Sequence, residues 1–366
     1  MAGSGFGTNF RITTWGETHG AGVGVVVDGC PAGLPLERED VQKYLDRRKP
    51  GQSKYTTQRK EGDQVEILSG IFEGRTTGTP ISMVVYNKDQ RSKDYSNIKD
   101  IYRPGHADFT FDMKYGFRDY RGGGRSSGRE TIGRVAAGAV AAKVLKELGI
   151  EIKAYAKAIA GIEVSKDHFD FAEMNNNPFN MPDKEAAKLV QEKADQMIKE
   201  MDSIGGIIEC QITGMPVGIG ETVFDKLDAE LSKAIMSIGS VKGFEIGDGF
   251  EAANLRGSEN NDDFICVDGK VEKETNHSGG VLGGMSDGST IVFRAAVKPT
   301  PSIARTQKTI NRDLDNVEIE IHGRHDPMIV PRAVVVVESM AAVTILDGVL
   351  KNLGATMDNI KKIYGE

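Results

Sequence analysis

Two segments of this sequence are apolar on nearly every side of a helix, at residues 132–148 and 333–352. A helix without a polar face must be covered by protein, so both segments are expected to lie buried between other layers. Strand patterns occur around them, at 22–28, 64–68, 81–87, 206–213, 290–297 and 316–322. Because these strands do not alternate regularly with helices, the pattern predicts an α+β fold and not a doubly wound parallel sheet.

Three further helices are predicted at 37–48, 184–202 and 225–237, and the second of them is amphipathic and therefore expected at the surface. Gly354 is placed to end the last long helix in a left-handed cap. The stretch from Asn175 to Asp183 is rich in Asn and Pro, which predicts an exposed loop. Neither a repeat nor a linker interrupts the sequence, so residues 1–366 are taken as one domain.

The charged residues are distributed unevenly. The net charge is −7, which disfavours nucleic acid as a general partner. Two basic clusters nevertheless stand out, one between Arg47 and Lys60 and one between Lys114 and Arg134. In an acidic protein such clusters indicate a pocket for a small polyanion, although a solvated basic surface would give the same pattern.

The sequence predicts a cytosolic protein that does not span a membrane. Its N-terminal residues lack the charged and apolar regions of a signal peptide, and no apolar run reaches the length that a bilayer requires. The three cysteines, Cys30, Cys210 and Cys266, have no spacing that indicates a disulfide framework or a metal site. We therefore expect reduced thiols and no bound metal.

A segment rich in Gly and Arg, from Asp119 to Thr131, leads directly into the first apolar helix. Consecutive glycines let backbone N–H groups approach an anion, and a helix N-terminus adds a favourable dipole. The segment lacks the Gly-Lys-Ser/Thr end of a P-loop, and the chain has no GxGxxG between a strand and a helix. It predicts a phosphate-binding loop of another kind, with a flexible basic loop as the alternative.

Two histidines lie in short Gly-containing turns, His19 in Trp15–Gly20 and His106 in Arg103–Asp108. A histidine that a ligand can reach titrates near working pH, as acid–base catalysis requires, although a single histidine in such a turn is often structural. A stiff turn bearing hydroxyls, Lys298–Ser302, follows the strand at 290–297. Asp347 lies among apolar residues of the last helix, where burial would raise its pKa unless it is paired; the alternative is an exposed acid near the helix end.

Taken together, these segments resemble the chorismate synthase family from about Phe10 to Leu350. The matching motifs are GETHG at 16–20, RRKPGQSKYTTQR at 47–59, SGIFEGRTTGTPI at 69–81, RPGHADFT at 103–110, KYGFRDYRGGGRSSGRET at 114–131, NHSGGVLGG at 276–284, KPTPS at 298–302 and GRHDP at 323–327. The resemblance implies long helices between antiparallel sheets, in a β-α-β sandwich, and a homotetramer. It also implies an anti-1,4-elimination that removes phosphate from 5-enolpyruvylshikimate 3-phosphate and requires reduced FMN.

The resemblance further implies roles for individual residues. His19 would protonate the departing phosphate, His106 would lie near the flavin pyrimidine edge, and Asp347 near flavin nitrogen five. Substrate would face Arg48, Arg129 and Arg134. Thr18 takes the place of a catalytic Ser, and Lys54 lies at a position linked to NADPH, the possible flavin reductant. The residues expected to hold FMN are Arg48, Arg125, Ser126, Ser127, Gly239, Ser240, Gly283, Lys298, Pro299, Thr300, Pro301, Ser302 and Arg324.

This sequence departs from the family pattern at three places. Thr18 replaces Ser, Met328 replaces a small residue, and Gly239-Ser240 replaces Asn-Ala beside the expected flavin. Two other functional classes stay open at this stage: a phosphate- or RNA-binding protein without catalysis, and a kinase with an unusual phosphate loop. The sequence predicts no broad basic surface with interleaved aromatic residues, which disfavours RNA.

Overall fold

The protein is described by a computed structural model over residues 3–57, 61–88, 99–321 and 326–365. Within these ranges its strands are β1 (Gly5–Phe6), β2 (Arg11–Gly16), β3 (Gly22–Asp28), β4 (Val65–Ile67), β5 (Ile71–Phe72), β6 (Arg75–Thr76), β7 (Ile81–Tyr86), β8 (Glu151–Ile159), β9 (Ile162–Glu163), β10 (Gly206–Thr213), β11 (Val241–Ile246), β12 (Phe264–Val267), β13 (Lys270–Lys273), β14 (Val281–Leu282), β15 (Met285–Ser286), β16 (Ile291–Val297), β17 (Gln307–Ile310) and β18 (Asn316–Ile319). The helices are α1 (Arg38–Arg48), α2 (Asp108–Tyr115), α3 (Thr131–Glu147), α4 (Lys184–Lys199), α5 (Leu227–Met236), α6 (Gly257–Asn260), α7 (Val330–Lys351) and α8 (Met357–Tyr364).

Two antiparallel sheets form the outer layers of a sandwich. The first has the strand order β1-β2-β3-β7-β4 and the second has the order β11-β16-β10-β8-β9. Along β16 the buried residues Ile291, Phe293, Ala295 and Val297 alternate with more exposed ones, as expected when one face of a strand meets the core. The remaining strands form four two-stranded hairpins in the described part of the chain.

The two long apolar helices lie between the sheets, as the sequence predicts. Helix α3 contacts β2, β3 and β7 of the first sheet, whereas α7 contacts β8 and β10 of the second. The helices pack against each other, and Gly138 of α3 faces Ser339 of α7 so closely that a β-carbon at 138 would overlap the serine. The β-α-β sandwich and the α+β class are therefore confirmed.

Three smaller predictions are wrong. Gly354 does not end α7 in a left-handed cap, because the helix passes into a 3-10 turn at Asn352–Gly354 that leads towards α8. The Asn175–Asp183 stretch is not simply exposed, since Phe179 and Met181 are completely buried and Asp183 caps α4. Finally, the sequence analysis found no apolar run of bilayer length, but Val330–Gly354 is long and apolar enough to cross a membrane, with a mean hydropathy of 2.0. Its most apolar window is 83% buried within the protein, which is typical of a core helix.

Candidate active site

The Gly- and Arg-rich segment forms two consecutive 3-10 turns, Gly124–Ser126 and Gly128–Glu130, and passes into α3. Its backbone requires glycine at two places, since Gly122 has φ 127° and Gly124 has φ 50°. The Ser127 hydroxyl accepts the Arg129 backbone N–H at 3.2 Å and caps the second turn. The predicted arrangement of a glycine loop before a helix N-terminus is therefore present.

Arg125 ties this loop to the end of β2. Its guanidinium donates to the carbonyls of Thr14 and Gly16, each at 3.1 Å, and to the Thr14 hydroxyl at 2.6 Å. The Glu17-Thr18-His19 turn begins immediately after Gly16. Two sequence motifs that are more than one hundred residues apart are thus placed side by side.

The turn that carries His19 is also held by Asn87. The Asn87 amide donates to the carbonyls of Glu17 and Gly20 at 2.9 and 2.8 Å. The Arg121 guanidinium lowers the pKa of the Asp119 carboxyl, and His19 adds to that effect. His19 therefore lies within electrostatic reach of the start of the glycine loop. The neighbouring Thr18 is buried, and its hydroxyl has no hydrogen-bond partner among the residues that the structure describes.

Two buried arginines meet two carboxylates below the loop, Asp63 and Glu61, and Arg129 Nη2 lies 2.6 Å from Glu61 Oε2. Arg48 Nη2 lies 2.6 Å from Asp63 Oδ2, and Arg129 Nη1 lies 3.0 Å from Asp63 Oδ1. Arg48 also donates to the Gly128 carbonyl, and Arg129 donates to the Asn87 side chain. The charges of Arg48 and Arg129 hold the pKa of the Asp63 carboxyl below its ordinary value against the opposing effect of burial.

His106 is placed by the Lys298–Ser302 turn. Its Nδ1 lies 2.9 Å from the Pro104 carbonyl, and its Nε2 lies 2.8 Å from the Ser302 hydroxyl. The Lys298 ammonium donates to the Gly105 carbonyl at 3.1 Å, which joins the two turns. The sequence predicts both turns as functional segments but gives no sign that they touch.

The protonation state of His106 follows from these contacts. A carbonyl oxygen can only accept, so Nδ1 carries the proton, and the neutral ring accepts the Ser302 hydroxyl at Nε2. Burial, followed by the charge of Arg103, lowers the pKa of His106 below 6.5. The ring is therefore neutral at physiological pH.

The Gly239-Ser240 pair belongs to the same region. Ser240 adopts φ 74°, and its carbonyl accepts the Lys298 backbone N–H at 2.9 Å. Arg134, in the first turn of α3, donates to the hydroxyl and carbonyl of Ser237 at 2.6 and 3.2 Å. Direct contacts thus join the start of α3 to Ser237, and the nearby Ser240 to the Lys298–Ser302 turn.

The start of α7 completes this end of the sandwich. Arg332 donates to the Arg48 carbonyl at 3.0 Å and to Asp326 Oδ2 at 2.7 Å. The other Asp326 oxygen accepts the Thr57 backbone N–H at 2.8 Å. Met328, next to this carboxylate, is completely buried and forms a β-bridge with Ile204, so packing accounts for it.

Asp347 is not brought together with the two histidines. It lies fifteen residues beyond Arg332 on α7, which corresponds to about 22 Å along the helix. Its Oδ1 accepts the backbone N–H groups of residues 8–10 at 2.6–3.0 Å, and Lys351 lies 3.1 Å from Oδ2. It is therefore neither the unpaired buried acid nor the exposed acid that the sequence suggests, but a buried and paired one.

Two other predicted cofactor contacts, Gly283 and Lys54, have neighbours outside the two histidine turns. Gly283 is at the tip of the β14–β15 hairpin, where the Gly284 carbonyl accepts the backbone N–H of Leu227 at the start of α5. A cavity lined by Leu227 and Asp347 adjoins this hairpin. Lys54 is largely exposed and pairs with Asp195 of α4 at 2.8 Å. Arg324 lies outside the described residues.

Sequence reasoning missed the carboxylates Glu61, Asp63 and Asp326 at this end. Asp326 belongs to the quoted GRHDP motif, so the motif itself was the available signal. Asp63 precedes a short strand without any distinctive pattern, and only the tertiary contacts with Arg48 and Arg129 reveal it.

Comparison with known proteins decides which family this arrangement represents. The family model described as chorismate synthase matches residues 10–350. The chain belongs to the chorismate synthase family. The match spans the same residues as the resemblance seen in the sequence. It confirms the predicted enzyme class, a lyase.

Individual chorismate synthases are similar over nearly the whole chain. The protein from Lachnospira eligens is 68% identical over 364 residues, covering 100% of both chains. Those from Chloroflexus aggregans and Methanosarcina mazei are each 56% identical, covering 96% of this chain and 96% and 97% of theirs. A crystal structure of a chorismate synthase superposes with a TM-score of 0.77 at 31% identity, covering 98% of this chain and 96% of that one. Membership of this family implies a flavin requirement.

Proposed function

We propose that this protein converts 5-enolpyruvylshikimate 3-phosphate into chorismate and inorganic phosphate with the help of reduced FMN. The observation that carries the proposal is the family match over residues 10–350. The convergence of both histidine turns, the glycine loop and the start of α7 at one end of the sandwich supports it. The binding-protein and kinase alternatives have no comparable support.

The residues at this end suit an anionic, phosphorylated cofactor. Thr300 has a buried hydroxyl without a partner among the described residues, and the adjacent Lys298 supplies a cation. Arg125, Ser126, Ser127, Gly239, Ser240 and the 298–302 turn would hold FMN. Reduced FMN would supply transient electron density for an elimination that has no easy concerted route and no net redox change. The same proposal includes NADPH as the reductant of the flavin.

The arginines would bind the substrate, which carries two carboxylates and one phosphate. Forked guanidinium donors match such groups better than point charges do. Arg48 and Arg129 are buried, and Arg134 lies partly buried at the start of α3, where the helix dipole also favours anions. A site lined in this way would exclude water and fix the substrate ring before reaction.

The protein would then move two protons. The bond between ring carbon three and the phosphate oxygen breaks, and His19 would give a proton to the departing phosphate. A proton leaves ring carbon six from the face of the ring opposite to the departing phosphate, and the ring double bond shifts. Asp347 is the acceptor implied by the resemblance, whereas Asp326 is a carboxylate paired with Arg332, which in turn contacts the Arg48 carbonyl. His106 is neutral and held by Ser302, so it would contact the flavin without placing a positive charge beside it.

The proposal includes a cytoplasmic homotetramer that binds neither nucleic acid nor membranes. Large apolar side chains at the surface support self-association, among them Phe117, Phe224 and Phe250, each more than three-quarters exposed. Light scattering on the purified protein tests this part. A monomeric mass at micromolar concentration would contradict it.

The activity is tested by mixing protein, substrate and dithionite-reduced FMN without oxygen. We expect the substrate to perturb the flavin spectrum and phosphate to be released. Protein that releases phosphate equally well with oxidised FMN would contradict the cofactor assignment. ATP turnover with shikimate-type acceptors would point instead to a kinase.

A further inference from the structure

We propose that Asp63 is a positioning residue that fixes Arg48 and Arg129 as one anion-binding unit. This inference rests on the proposed function, since it concerns how the same site takes its substrate. Asp63 does not need to touch the substrate. It acts through the two arginines, and no sequence motif points to it.

The geometry supports this role. The Asp63 side chain is completely buried, and it divides its two oxygens between the two arginines at 2.6 and 3.0 Å. The side chains of Arg48 and Arg129 are 2% and 7% exposed, so water cannot readily replace the carboxylate. Arg129 has a second anionic partner, Glu61 at 2.6 Å, whereas the ion pair of Arg48 is with Asp63. Two buried cations this close repel each other unless a carboxylate separates them.

The backbone of Asp63 is fixed as firmly as its side chain. Asp63 has φ 42°, in the left-handed region that few residues other than glycine adopt. The Gln42 side chain of α1 donates to the Asp63 carbonyl at 3.2 Å and accepts the Val65 N–H at 3.0 Å. Gln42 thus holds this backbone conformation from both sides.

The arginines keep donor capacity for a ligand. Arg48 Nε is buried and has no hydrogen-bond partner in the described part of the chain. Arg48 also donates to the Gly128 carbonyl, so its position is coupled to the glycine loop. Asp63 therefore sets the distance between a guanidinium with a spare N–H and the loop that leads into α3.

An electrostatic role and a positioning role of Asp63 predict opposite changes in substrate affinity. Removing the Asp63 carboxylate adds one net positive charge to the site, which by itself should bind a polyanion more tightly. Releasing the two arginines from their fixed geometry should bind it more weakly. The direction of the change in substrate affinity therefore separates a positioning role from a simple electrostatic one.

The test uses Asp63→Asn and Asp63→Glu in the full-length protein with saturating reduced FMN. Asp63→Glu keeps the charge but displaces the oxygens, so a positioning role predicts that both variants raise the KM for substrate by about tenfold or more. The control is Asp183→Asn, which alters another buried carboxylate at the N-terminus of α4 and should lower thermal stability without changing KM. An unchanged or lower KM in Asp63→Asn, or a normal KM in Asp63→Glu, would overturn the inference.

Calorimetric titration with 5-enolpyruvylshikimate 3-phosphate, without flavin, keeps the two proposals distinguishable. Wild-type protein that binds the substrate but releases no phosphate would contradict the proposed function, and the Asp63 comparison would still be decided by affinity. Weaker binding by about tenfold in a folded Asp63→Glu supports positioning. Equal binding contradicts it. If Asp63→Asn does not fold, Asp63→Glu carries the test alone.

Discussion

At the scale of single residues, partners determine what a titratable group can do. His106 and Asp347 are both conspicuous in the sequence, but their surroundings differ. His106 has one nitrogen on a carbonyl and the other on a hydroxyl, an arrangement that leaves the ring neutral and oriented. Asp347 accepts three backbone N–H groups and forms an ion pair with Lys351, as a structural carboxylate does.

Replacing His106 tests its place in the site. His106→Ala should lower turnover by about 10²- to 10⁴-fold, the usual effect of losing a positioned acid–base group. The melting temperature should change little, because the ring is only partly buried and lies in a turn. Steady-state turnover with reduced FMN, measured beside a thermal melt, checks both. A near-normal rate with normal flavin content would remove His106 from the mechanism.

The depressed pKa of His106 also predicts how stability depends on pH. Below its ordinary pKa of about 6.5, the unfolded chain takes up a proton that the folded ring resists, so the folded state loses stability as pH falls. His106→Gln lacks this contribution. Urea unfolding at pH 7.5 and 5.5 should therefore show a larger loss of free energy of unfolding for wild type than for the variant. Equal losses would mean that His106 titrates normally in the folded protein.

Asp347→Asn separates the two roles considered for that residue. The contacts to residues 8–10 predict that the variant loses stability by about 1–3 kcal/mol, because an amide replaces a charged acceptor of several N–H groups. Turnover per folded molecule should stay near the wild-type value. A large loss of turnover with unchanged stability would instead favour the proton-accepting role that the family resemblance implies.

At the scale of elements, the sequence predicts the buried parts of the fold best. The all-round apolarity of α3 and α7 locates both helices to within three residues, since only a buried helix tolerates it. Strand β8 was missed because its sequence, EIKAYAKAI, is rich in residues that favour helix. It becomes a strand through pairing with β10 on one side and β9 on the other, which no local pattern encodes.

The closest contact between the two long helices gives a prediction about stability. A β-carbon at Gly138 would lie 2.2 Å from the Ser339 β-carbon and 2.5 Å from its α-carbon. Gly138→Ala should therefore cost about 1–3 kcal/mol despite the better helix propensity of alanine. Gly354→Ala is the matched control, since nothing lies within 4 Å of a β-carbon there. Chemical denaturation of both variants checks this; similar stabilities would show that the helices can separate at no cost.

At the scale of the whole molecule, the sequence predicts which segments belong to the site but not how the fold brings them together. Motifs identified His19, His106, the glycine loop and the Lys298–Ser302 turn as separate candidates, and the fold brings them to the end where α3 and α7 begin. The same motifs could not reveal that Asp347 lies towards the other end. Helix α7 has 22 residues, so its two ends are about 33 Å apart.

The central claim is that this site carries out an elimination in which the flavin is required but not consumed. The most direct test is to count phosphate released per FMN in an anaerobic reaction that contains protein, substrate and a limiting amount of chemically reduced FMN. We predict many equivalents of phosphate, an equal amount of chorismate, and flavin that is still reduced at the end. Release of no phosphate, or oxidation of one flavin for each phosphate released, would contradict it.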